Sequence, residues 1–314
     1  MLLSRVADNV YWGARYLERA ECTARVVRSF TEVLLDMPTG VTTSWEPLLA
    51  VVGGREVFDK HHSKATEIDI VRFLVADHTN LGSVVASVAQ ARENLRTTRE
   101  IIPRDAWQTV NDLFLATSRD SELGVARRSR NRFLERVIAD HQRIDGVLSG
   151  VMQRDEAYEL WRLGQAIERA DMTTRVLGVR AAALLNEPNE PGAYAEVQWM
   201  GVLRSVTALQ MFQRAASGSI EGPRVIDFLL FDSQFPRSVS GCLNRIRAAL
   251  ERLPRADRTA SAVAEITSLL DRLRRDRSAT DAATGSGLDA TMDQVQQALA
   301  DLNDVVHATF VPAK

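Results

Sequence analysis

The sequence predicts an all-α protein, an internally duplicated helical bundle with pseudo-two-fold related halves. Three observations lead there. Apolar residues recur at spacings of three and four over long stretches, the period of a helix with one buried face. No convincing run of alternating apolar and polar residues marks a strand, and aromatic residues make up only 6% of the chain. Three blocks of sequence also recur in the same order at a nearly constant offset.

The elements follow in chain order. Val10, Gly13, Leu17, Ala20, Ala24, Val27 and Leu34 form a stripe about seven turns long, with Thr31 in its one polar gap. Asp36-Met37-Pro38-Thr39-Gly40 reads as the turn that ends it, and Gly53-Gly54 as the next break. Helical periodicity resumes over 83–100, 131–150, 151–185, 199–217, 237–253, 257–276 and 288–309. The Pro- and Asn-rich stretch 186–192 and the segment from Gly218 to Pro223 read as connections. The small, polar residues of 278–288 predict a loop.

The repeat is specific. Residues 17–27 read LERAECTARVV and residues 167–177 read IERADMTTRVL, an offset of 150. Trp45, Leu48 and Leu49 match Trp199, Val202 and Leu203 at an offset of 154. Phe73-Leu74, Asp77, Ser83-Val84 and Arg92 match Phe228-Leu229, Asp232, Ser238-Val239 and Arg247 at 155. The expected division is 1–150 and 151–314, as two similar bundles or one intertwined domain. Units this long exclude a superhelical array of short repeats.

Composition excludes several classes. The 314 residues carry a net charge of −2, which gives no bulk attraction to nucleic acid or an anionic membrane. No apolar stretch is long enough to span a bilayer, and the N-terminus lacks the pattern of a secretory signal. Two cysteines are too few for a disulfide scaffold, so a cytoplasmic protein with reduced thiols is expected. Lys60, Lys64 and Lys314 are the only lysines among 39 basic residues. That bias is either genomic or a sign of fork-shaped pairing with carboxylates.

The repeated charges are the candidate site. With Leu17 and Ala20 at heptad positions a and d, Glu18 and Arg25 fall at b, Glu21 at e and Arg19 at c. Glu18 and Arg19 therefore point apart, and each needs a partner from elsewhere. Glu168, Arg169, Asp171 and Arg175 repeat the arrangement beside Ile167 and Ala170. A solvated face would hold surface pairs of about 0.3–0.5 kcal/mol each. Persistence in both copies, while Tyr16 faces Ala166 and Cys22 faces Met172, favours an inter-helix network at least partly buried. Such a network is either structural or lines a cleft for a zwitterionic or anionic ligand. If it forms an enzyme site, a Glu raised in pKa by burial would serve as base while Arg clamps a carboxylate. A second polar cluster holds His141, Arg143, Asp145, Arg154 and Asp155. Arg154 and Asp155 join the binding or network candidates, although capping of the following helix accounts for them equally.

Other chemistry lacks its residues. The acidic pairs have no His at Glu-x-x-His spacing, so no di-iron or other metal site is expected. His61-His62 reads as part of an exposed loop. No phosphate-binding, dinucleotide or nucleophile-elbow motif occurs. Cys22, matched by Met172, is a packing residue rather than a nucleophile. The run Arg127-Arg128-Ser129-Arg130-Asn131-Arg132 reads as a docking patch or a solvated helix start.

The segments LSRVADNVYWGARYLERAECTARVV, MQRDEAYELWRLGQAIERADMTTRVL and FLLFDSQFPRSVSGCLNRI resemble the bacterial alpha-E domain family over essentially the whole chain. Gly13-Ala14 stands where that family usually has Leu-Gly. The resemblance implies an all-helical fold with Glu18, Arg19, Glu168 and Arg169 as signature residues, and no settled reaction. It also implies a neighbouring or fused ATP-grasp-type ligase. ATP and Mg²⁺ would then belong to that partner, with no cofactor in this chain. The expected role is a non-nucleotide-binding acceptor, scaffold or regulatory subunit for amide-bond formation on peptides or amino compounds. The alternatives are an enzyme with a duplicated Glu/Arg active site on a peptide or amino-acid-like substrate, and a structural homo-oligomer.

Overall fold

Fourteen α-helices account for the secondary structure, and no strand occurs among the described residues. The computed structural model describes residues 2–37, 44–185, 192–215, 218–254, 256–278 and 285–310. Most of the 186–192 connection, residues 38–40 of the first turn and most of the 278–288 segment lie outside them.

The first run of helices is α1 (Ser4–Asp36), α2 (Pro47–Val51), α3 (Arg55–His61), α4 (Glu67–Val75), α5 (Val84–Arg96), α6 (Arg104–Val125) and α7 (Arg127–Val151). The second is α8 (Glu156–Leu185), α9 (Gly192–Ser205), α10 (Leu209–Ala215), α11 (Gly222–Phe231), α12 (Val239–Arg252), α13 (Ala256–Ser278) and α14 (Gly285–Phe310). Serine hydroxyls cap α5 and α12 alike. Ser83 Oγ accepts from the Ala86 amide at 3.1 Å, and Ser238 Oγ from the Gly241 amide at 2.9 Å.

Several expectations need correction. The single helix expected over 199–217 breaks at Val206–Ala208, where Thr207 takes a left-handed φ of 59°. The 278–288 loop is too long, because α14 begins at Gly285. Helix α6 occupies a segment where the sequence reading names no helix, although Ala106, Val110, Leu113 and Thr117 line its buried face at helical spacing. His61 ends α3 instead of lying in a loop, and His62 stacks on Phe58 with centroids 4.4 Å apart. The basic run divides. Arg130 is fully buried, bonded to Glu67 and the Val125 carbonyl and lying over Trp45, while Arg127, Arg128 and Arg132 are exposed.

Helices α1 and α8 are the central pair. Each is buried around most of its circumference, and from Ala20 to Phe30 no residue of α1 is exposed. Helix α1 packs on α5, α7, α8 and α9, and α8 packs on α1, α2, α12 and α14. The α1–α8 approach is set by Gly164, where an added Cβ would lie 2.5 Å from the Tyr11 carbonyl oxygen. The buried apolar side chains form one continuous cluster running from Ala7 to Phe310. Because the central pair is buried around most of its circumference, most of its polar flank is carried inward with its apolar stripe.

Candidate functional site

Burying that flank requires every carboxylate on it to meet a cation, since an unpaired internal charge is strongly destabilising. The partners come from the opposite helix. Arg19 forks onto Glu168, with Nη2 3.0 Å from Oε2, and Arg169 Nε lies 2.7 Å from Glu18 Oε1. Each Glu-Arg pair thus separates, and its members cross to the other helix. Within each helix the flank is closed by an i,i+4 pair, Glu21–Arg25 and Asp171–Arg175, the latter at 2.9 Å.

Two clusters result. In the first, Arg237 enters from the loop before α12. Its Nη1 lies 3.0 Å from Glu18 Oε1 and its Nη2 3.0 Å from Glu21 Oε2. His141 Nε2 stands 3.4 Å from Glu18 Oε2, and Asp145 lies 3.8 Å from Arg169. The side chains of Glu18 and Glu21 have no exposed surface. Oxygen and sulfur atoms of Glu18, Glu21 and Cys22 lie within 4.8 Å of one another, but the Arg237 guanidinium already meets all three. A metal ion there would have to displace it.

In the second cluster Arg15 joins Arg19 on Glu168, with Nε 2.9 Å from Oε2. This cluster is not sealed. The side chains of Arg19, Asp171 and Arg175 are 24%, 21% and 33% exposed. They line a cleft of about 410 Å³ whose other wall is Gly53-Gly54 and the loop from Thr79 to Gly82. Gly53 adopts φ +67°, and an added Cβ would come within 2.9 Å of Arg175 Nη1.

The electrostatics favour the ionised form of the buried carboxylates. Burial alone would raise the Glu18 carboxyl, but Arg169 and Arg237, helped by His141, outweigh it and hold it well below the usual carboxylate range. Burial likewise opposes ionisation of Glu21, and Arg237 leads the charges that overcome it. Glu168 is lowered by Arg19 and Arg15 against its own burial. The expectation of a Glu raised in pKa to act as a base is therefore overturned, because paired guanidiniums prevail over desolvation. Burial and the neighbouring Glu18 push the Cys22 thiol up, which suits packing.

Arg154 and Asp155 lie outside both clusters. Asp155 Oδ1 accepts from the amides of Ala157 and Tyr158 at 3.0 and 3.2 Å, so it caps α8. Arg154 lies over the Tyr158 ring, 4.0 Å from its centroid. Arg15 and Arg237 escaped sequence reasoning. Arg15 falls one turn before Arg19, and Gln165 stands at the matching offset of 150. Arg237 directly precedes Ser238-Val239, and Gly82 precedes the similar Ser83-Val84 at an offset of 155. A basic residue abutting a repeated block was the available signal.

A fully helical bundle with crossed Glu-Arg pairs on two central helices defines the class of protein. The chain belongs to the Alpha-E family, described as a predicted alpha-helical domain with a conserved ER motif, whose model matches residues 2–311. It is similar to uncharacterized proteins of Mycobacterium tuberculosis strain H37Rv and Mycobacterium bovis, each 24% identical over 328 residues covering 97% of this chain. The chain spans 36% of the length of those relatives. No solved structure matches it. Among the described residues, no helix is long and apolar enough to cross a membrane.

Proposed function

We propose that this protein is the non-nucleotide helical partner of an ATP-grasp amide-bond-forming system acting on peptides or amino compounds, and that it binds the acceptor. The cleft against Arg19, Glu168, Asp171 and Arg175 carries the reading. Its walls are charged groups fixed by internal pairs, a surface preorganised to bind and orient. The depressed carboxylates weigh against a reading in which this chain performs the proton transfers of catalysis. The mycobacterial relatives carry a matching region inside a much longer chain, an arrangement that suits a module working beside another one.

The same reading includes duplication of an ancestral unit of seven helices. It is supported by the matching order of the two runs, by the crossed Glu-Arg pairs and by recurring loop contacts. Thr23 Oγ1 donates to the Gly82 carbonyl at 3.3 Å, and Thr173 Oγ1 to the Arg237 carbonyl at 2.9 Å.

The test is co-expression with the ATP-grasp ligase encoded in the same organism, followed by co-purification and an assay of ADP release with amino acceptors. Association at micromolar concentration and acceptor-dependent stimulation are the expected results. No association and no change in ligase rate would overturn the proposal.

A further inference from the structure

We propose that the cleft beside the Glu168 cluster binds the zwitterionic head of a free α-amino acid. This deepens the function proposed above, since it rests on the cleft being an acceptor site and names its ligand class.

The two clusters share a backbone frame and differ in what fills it. At the offset that aligns Trp45 with Trp199, Gly53 and Gly54 stand against Thr207 and Ala208. At the offset that aligns Ser83 with Ser238, Gly82 stands against Arg237. The loop geometry is the same in both. The Gly54 amide donates to the Leu49 carbonyl at 2.9 Å, and the Ala208 amide to the Leu203 carbonyl at 2.7 Å. At the first cluster the Arg237 guanidinium fills the space. At the second, three glycines leave it as the cleft.

The groups facing the cleft define its complement. Asp171 uses Oδ2 for Arg175, and no hydrogen bond reaches its Oδ1 among the described residues. An ammonium there takes the position that Arg237 Nη2 occupies at Glu21. A bare cation is nevertheless a poor fit. Glu168 and Asp171 already face Arg15, Arg19 and Arg175, which leaves one positive charge in excess. Arg175 spends only Nε on Asp171, and Arg19 spends Nε and Nη2 on Glu168. The remaining guanidinium nitrogens suit a carboxylate. One small molecule that answers both demands is an α-amino acid. A volume of about 410 Å³ accommodates it, and the partly exposed Val57 and Leu81 at the rim favour an apolar side chain.

The experiment uses the full chain alone. Each of the common L-α-amino acids is added at about 10 mM and scored by unfolding temperature and calorimetry. At least one raises Tm by about 2 °C or more. Its amide and its N-acetyl derivative bind at least about tenfold more weakly. Gly82→Arg rebuilds the filled geometry of the first cluster, and an added Cβ there meets nothing closer than Asn80 Oδ1 at 3.3 Å. That variant loses binding while the ligand-free Tm is retained, and Asp171→Asn shows the same loss by removing the ammonium partner. The proposal is overturned if no amino acid binds, if the amide or N-acetyl form binds as well as its parent, or if Asp171→Asn retains full affinity. Because the measurement needs no ligase, loss of this inference leaves ligase association standing, and failed association leaves amino-acid binding standing.

Discussion

The Glu18 cluster and the Glu168 cluster use one charge pattern to different ends. Both hold a carboxylate deep between α1 and α8, pair it with an arginine from the facing helix, and brace it with an i,i+4 pair. Around Glu18 the space is filled by Arg237, His141 and Cys22, and neither Glu18 nor Glu21 has exposed side-chain surface. Around Glu168 the corresponding loop is glycine and the cluster meets solvent. The electrostatic frame is therefore common to both, and the loops decide whether it is closed over or opens on a cleft. Energetically the two should also differ, because removing a partner from a sealed network strands a charge that solvent cannot reach.

The largest effect is expected at the sealed cluster. Glu18→Gln leaves Arg169 and Arg237 facing each other without their shared counter-ion and should cost about 3–5 kcal/mol, measured by denaturant unfolding. Glu168→Gln breaks an equivalent pairing, but Arg19 reaches solvent, so about 1.5–3 kcal/mol is expected. Equal losses in the two variants would erase the distinction between sealed and open. A double-mutant cycle with Arg237→Met sharpens it, since coupling to Glu18 should be large and coupling to Glu168 negligible.

Acid should separate the clusters next. Glu18, Glu21 and Glu168 all have folded pKa values below the ordinary value of 4.5. Their contribution is fully present above that value and is lost as pH falls through the lower folded values. Tm should therefore fall on acidification below about pH 4.5, with the limb shallower in Glu18→Gln than in the parent. An acid limb of unchanged steepness in that variant would show that other carboxylates control it.

Much of this was legible beforehand, for identifiable reasons. Helical period and internal repetition are local or self-comparing signals, so the all-α class and the Glu-Arg helices could be read directly. Heptad geometry alone shows that Glu18 and Arg19 diverge. The identity of the crossed partners could not be read, because it depends on how α1 passes α8. Arg237 was invisible for a related reason. Its loop reaches the Glu18 cluster only through tertiary packing, and in sequence it is one more arginine among many. The raised-Glu expectation fails because burial alone raises a carboxyl, while the number of guanidiniums that oppose it is set by packing. Helix α6 is not hidden in this way, since its buried Ala106, Val110, Leu113 and Thr117 follow the same spacing of three and four that marks the other helices.

The smallest expected effect tests the loop contrast itself. Gly53 and Thr207 occupy the same offset position and share a left-handed backbone, φ +67° and 59°. A β-branched residue is strained there by about 1–2 kcal/mol, while glycine is at ease but loses about 0.5–1 kcal/mol more chain entropy on folding. Thr207 is exposed and gives up little packing when truncated. Thr207→Gly should therefore stabilise the protein by about 0.5–1 kcal/mol. Gly53→Thr should do the reverse and add a clash, because its Cβ would crowd Arg175 Nη1 and disturb the ion pair with Asp171. If the two substitutions instead have the same sign, the loops at the two clusters do not share one backbone frame, and the fill-or-open account of their difference fails.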